Sequence, residues 1–69
     1  MIQIALNGAT AEIPANTTLL ALLARLDIDP AVGGIAIAVN AAVVPRSQWQ
    51  HTTLQAHDEV ELVRATAGG

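Results

Sequence analysis

Apolar residues recur along this chain with two different periods. MIQIALN alternates, so Ile2, Ile4 and Leu6 share one face with Gln3 and Ala5 opposite. ATAEIP alternates again, with Ala9, Ala11 and Ile13 against Thr10 and Glu12. Between them stands Asn7-Gly8, the pair favoured by a type I′ turn, where both residues need φ > 0. Pro14 cannot donate a ladder hydrogen bond and ends the second run. The chain therefore opens on a β-hairpin. The period then changes. Leu19, Leu22, Leu23 and Leu26 fall at i, i+3, i+4 and i+7, which predicts a helix from about residue 18 to 26. Asn16 or Thr17 is the expected cap, Arg25 suits the negative end of the dipole, and Pro30 with Gly33-Gly34 prevents continuation.

Alternation returns in IAIAV, where Ile35, Ile37 and Val39 oppose Ala36 and Ala38. A turn at 40–43, a short strand at Val43-Val44 and a stop at Pro45 follow. SQWQHTTLQ has no clean period and suits a 3₁₀ turn. In EVELVRA, Val60 and Leu62 face one way and Glu59, Glu61 and Val63 the other. The order is hairpin, helix, then two or three strands. One helix with four leucines covers one face of one sheet, and a helix between the hairpin and the later strands favours a right-handed crossover. First and last strands then lie parallel at the centre. The expected class is α+β, a β-grasp (ubiquitin-like) mixed sheet of four to five strands on one helix. Residues 1–65 form the domain, and 66–69 are expected to be a flexible tail with little to bury.

Composition sharpens this. A single domain of 69 residues buries only about 60% of its unfolded surface, so the core must be dense. Hydrophobic residues make up 52%, nearly all aliphatic, and Trp49 is the one aromatic. Cys is absent, which removes disulfides, thiolate nucleophiles and thiolate metal sites. Net charge is −3, with three Arg and no Lys. Without a basic stripe or stacking aromatics, nucleic-acid binding is not expected. LLALLARL is too short to span a bilayer, so no membrane partner is expected either. MIQIALNG lacks the basic start of a signal peptide, and a cytoplasmic location is the default.

The side chains offer little chemistry. His51 and His57 lie in or near loops, without HxxxH spacing, and read as solvated loop histidines. Asp58 falls at a turn and Glu59 and Glu61 on an outer strand face, so these read as solvated acids rather than paired carboxylates. Gly33-Gly34 precedes a strand rather than a helix, so it cradles no phosphate and reads as loop flexibility. One reactive group is left, the α-carboxylate of Gly69, ionised at neutral pH. It becomes useful if another enzyme activates it, for example with AMP from ATP. Gly68 and Gly69 lack Cβ atoms and Thr66 and Ala67 are small, so this tail can thread a narrow site. A frayed end without function is the plain alternative.

The Asn7-Gly8 turn, the TLLALLARL helix, the stretch AIAVNAAVVPRSQW, the DEVELV strand and the terminal GG together resemble the ThiS family of sulfur carrier proteins. VPR with Trp49 three residues later is the most specific portion. The resemblance implies a carrier rather than an enzyme, with no bound cofactor. A ThiF-type enzyme uses ATP to adenylate Gly69. Sulfur from a cysteine desulfurase displaces AMP, and thiazole synthase takes sulfur from the resulting thiocarboxylate. Two turns depart from the family: Ala41 stands where Gly often follows Asn, and His57 where Gly commonly precedes Asp. If those turns need φ > 0, both residues are strained, His57 less so.

Recognition is expected from the tail and the outer sheet face, where Ala5, Ala36, Ala38 and Val63 form a flat, rather apolar surface. Arg64 is a candidate partner for an acidic residue. Small residues merely facing water is the alternative. Arg46 and Trp49 read as holding the loop to the core, with Trp49 as a core plug rather than an exposed hot spot. Three rival readings remain. One is a molybdopterin synthase small subunit or other β-grasp sulfur donor, although Val63-Arg64-Ala65-Thr66 lacks that subunit's proline-containing end. Another is a protein modifier, which a chain without Lys cannot extend into Lys-linked self-chains. The last is a plain interaction module.

Overall fold

The computed structural model describes residues 1–65; the expected tail at 66–69 lies outside them. Five strands form one sheet in the order β2-β1-β5-β3-β4. They are β1 (Ile2–Leu6), β2 (Ala9–Ile13), β3 (Ile35–Val39), β4 (Ala42–Val44) and β5 (Glu59–Arg64), with one helix, α1 (Leu19–Arg25), and a 3₁₀ turn over Arg46–His51. β1 and β5 run parallel at the centre, Ala5 beside Glu59 and Leu6 beside Val60. The other neighbours are antiparallel. Among the described residues no helix is long and apolar enough to cross a membrane.

Both hairpins close through two-residue turns with positive φ at each position: Asn7 (49°) and Gly8 (83°), then Asn40 (51°) and Ala41 (70°). The second turn is tighter than the expected 40–43, and β4 starts one residue earlier, at Ala42. Each asparagine also braces the central strand β5. The Asn7 amide accepts from Leu62 N at 2.8 Å and donates to Leu62 O at 3.2 Å, so it continues the β1–β5 ladder past the end of β1. Asn40 accepts from Glu59 N at 2.9 Å and donates to Asp58 Oδ1 at 3.0 Å.

Ala41 pays for its position. An L-residue in the left-handed region is strained by about 1–2 kcal/mol, while Gly adds roughly 0.5–1 kcal/mol of chain entropy to be lost on folding. Ala41→Gly is therefore expected to stabilise the domain by about 0.5–1 kcal/mol. A thermal melt should show a rise of several degrees, and a fall would mean that the methyl group packs.

The helix differs from expectation at both ends. Thr18, not Asn16 or Thr17, is the cap; its hydroxyl accepts from Ala21 N at 3.1 Å. Thr17 is buried and its hydroxyl is committed to Pro14 O at 2.6 Å. A bridge to Thr53 holds Thr18 extended, the backbone an N-cap needs. At the other end Asp27 turns left-handed (φ 57°), Asp27 N reaches Ala24 O and Ile28 N reaches Leu23 O. This Schellman closure stops α1 before Pro30 or the glycines act. It also explains why Leu26 is exposed while Ile28 packs on the core in its place.

The core is Ile4, Ile13, Leu19, Leu22, Leu23, Ile37, Trp49, Leu54 and Val60. Trp49 is buried and its Nε1 donates to Val44 O at 2.9 Å, as expected of a core plug. Leu54 lay outside any periodic run; bonds from Leu54 N to Thr17 O and from Leu19 N to Thr52 O draw its segment against the start of α1.

Candidate functional site

The candidate site has two parts, the sheet face away from α1 and the root of the chain end. Register decides what the face presents. Val63 lies opposite Ala36, and Ala38 lies opposite Glu61 on one side and Val43 on the other. Ala36, Ala38, Val43 and Val63 thus form one apolar patch over β5, β3 and β4, with Val43 and Val63 strongly exposed. Val43 was not among the expected contacts. Its signal was present: alternation carried through a two-residue turn places it across from Ala38.

Ala5 stands apart from this patch. It pairs with Thr10 on one side and Glu59 on the other, so the acidic residues of β5 separate it from Ala38. Glu59 and Glu61 are exposed and border the apolar patch. Arg64 pairs with Ile35 and alternates away from Val63, which puts it toward the helix side of the sheet at its exposed end. The face that Val63 offers is therefore not the face of Arg64. Gly69, Gly68, Ala67 and Thr66 lie outside the described residues.

Other polar groups have structural employment. The Asp58 carboxylate accepts from Asn40 Nδ2 and, at 2.8 Å, from Gln55 N, so from its place at a turn it braces two turns. His57 sits at φ 71°, and its backbone N–H donates to Gln3 O at 2.6 Å. His51 lies 3.2 Å from the Gln50 amide. Among the described residues no three His, Asp or Glu gather into a metal-sized cluster. A cleft of about 330 Å³ opens between α1, the 27–34 loop and the 3₁₀ turn, lined by Leu20, Pro30, Arg46 and Trp49. The Arg46 guanidinium there is already engaged, donating to Val32 O at 3.1 Å and lying 4.8 Å from the Trp49 ring centroid. The described residues thus offer an exposed apolar face and a point of departure for the chain end, with no assembled acid, base or nucleophile among them.

A model of the ThiS family matches residues 4–69. The chain belongs to the ThiS family. It is 37% identical to the sulfur carrier protein ThiS of Escherichia coli (strain K12) over 67 residues, covering 97% of this chain and 98% of that one. Two solved structures share its architecture. The crystal structure of the thiamine biosynthesis protein (ThiS) from Geobacter metallireducens superposes with a TM-score of 0.81 at 21% identity, over 99% of this chain and 100% of the other. A solution structure of a thiamine biosynthesis protein from the same organism gives 0.80 at 23% identity, over 99% and 88%. At those identities the likeness establishes the fold, and this ThiS-family chain is a β-grasp domain with five strands and one helix.

Proposed function

We propose that the chain is a sulfur carrier of thiamin biosynthesis whose working group is the Gly69 carboxylate. An adenylating enzyme of the ThiF type attacks ATP with that carboxylate, giving the acyl-adenylate and pyrophosphate. Sulfur delivered from a cysteine desulfurase as a persulfide attacks the acyl carbon and displaces AMP. A thiol then reduces the resulting acyl disulfide, becoming a disulfide itself, and releases a thiocarboxylate, which passes its sulfur to thiazole synthase. The chain itself acts as a carrier, not as a catalyst. The observation that carries this reading is the ThiS-family match through residue 69, beside 37% identity to a sulfur carrier over almost all of both chains. ATP is the partner's substrate, and a cytoplasmic location accords with that need.

The same reading assigns partner contact to the Ala36, Ala38, Val43 and Val63 patch, with Glu59 and Glu61 as its rim. A complementary surface is apolar and bordered by basic residues. Ala5 falls beyond the acidic row, and Arg64 meets a partner only if the partner wraps around the sheet end.

The chemistry is checked by intact-mass measurement after incubation with the adenylating enzyme, ATP and a sulfur source. The expected product has one oxygen replaced by sulfur at its last residue. A mass that stays unaltered while the enzyme activates an authentic carrier would refute the proposal. Rescue of a thiamin-requiring strain that lacks its own carrier tests the biological assignment.

A further inference from the structure

β5 does not end at its last paired strand residue. Beyond the Ile35–Arg64 pair there is one more rung, the Ala65 amide donating to the Gly34 carbonyl at 2.7 Å. Gly34 stands at φ 81°, and a Cβ built on it would lie 3.1 Å from Ala65 Cβ and 3.3 Å from the Ala65 carbonyl oxygen. A side chain at position 34 would be strained at this φ and would crowd Ala65, so the two backbones meet most easily with glycine here. The loop that carries Gly34 is itself anchored. Ala31 N donates to Asp29 Oδ1 and Val32 N to Asp29 O, which closes a turn. Val32 O accepts from Arg46, and Arg46 lies over the buried Trp49 ring. Contacts thus run from the core through Trp49, Arg46 and Val32 to the loop, and end at Ala65.

We infer that Gly34 is a positioning residue for activation of the chain end, acting through Ala65. The inference rests on the carrier reading above. The rung fixes where, and in which direction, residue 65 hands the chain on to 66–69. A side chain at position 34 pushes Ala65 away and frays Arg64 and Ala65 from β3. Only a fraction of molecules then presents the chain end at the partner's site, and apparent affinity falls by that fraction. Chemistry after the end has seated is unaltered, so the effect belongs in KM rather than kcat.

The test uses the full chain in steady-state adenylation, following pyrophosphate release with the ThiF-type enzyme and ATP while the carrier is varied. Gly34→Ala is expected to raise KM for the carrier about tenfold, with kcat within about twofold of wild type. Ala65→Pro removes the donated N–H at an exposed residue, so it should raise KM similarly without lowering the melting temperature. Ile13→Val lowers stability in the core, away from residue 65, and should leave both constants unchanged. Unaltered KM in both Gly34→Ala and Ala65→Pro, or an equal rise in Ile13→Val, overturns the inference alone. A wild-type chain that accepts no AMP overturns the carrier reading and the inference with it.

Discussion

Gly68→Val is expected to lower adenylation of the chain by about a hundredfold or more while leaving the urea midpoint of the domain where it was. A reacting group displaced by about 1 Å can lose 10²-fold in rate, and a β-branched side chain next to the carboxylate restricts φ and widens the segment that must enter the partner's site. The buried core of the described residues lies within positions 4–60, and on the proposed reading position 68 adds nothing to it. Deletion of Gly69 should have the stronger effect, since the carboxylate then ends one residue short, behind Thr66, Ala67 and Gly68. Pyrophosphate release and a denaturation curve on the same preparation separate the two properties. A large drop in stability would mean that the end is part of the fold; normal activation would remove the reason for the small residues there.

Trp49→Ala is expected to cost about 3–5 kcal/mol. A domain of this size has roughly 3–10 kcal/mol to lose, so the variant should be at or near its unfolding midpoint at room temperature. Three effects combine. The largest side chain of the core disappears, Val44 O loses its donor at the foot of β4, and Arg46 loses the ring beneath it. Trp49→Phe keeps most of the bulk and removes the Nε1 donor to Val44 O, at a cost of about 1 kcal/mol. Urea denaturation followed by far-ultraviolet circular dichroism measures both. A loss below about 1 kcal/mol for Trp49→Ala would show that the 3₁₀ turn does not seal the core. The effect should reach the site as well, because Arg46 holds the loop that meets Ala65.

Short-range chemistry made much of the fold legible. Asn7-Gly8 specified its turn, alternation placed Ile4, Ile37 and Val60 inward, and the leucine spacing marked α1 as helix. Helix ends were less legible, because they depend on groups distant in sequence. Thr18 caps α1 since Thr53 holds its backbone extended and Pro14 occupies Thr17. Leu54 could not be recognised as core from its neighbours, because its burial follows from pairing with residues near position 18.

For the candidate site the division is similar. The sequence by itself carried the family resemblance and the small residues before Gly69 on which the proposal of a working carboxylate rests, since these need only residue types in order. Tertiary structure decided the register that sets Val63 beside Ala36 and the separation of Ala5 behind Glu59 and Glu61. It also turned Gly34 from an apparent flexible joint into a close contact. Periodicity says which residues share a face within one strand. Which strands become neighbours, and where one backbone must pass within 3 Å of another, follows only when the whole chain has packed.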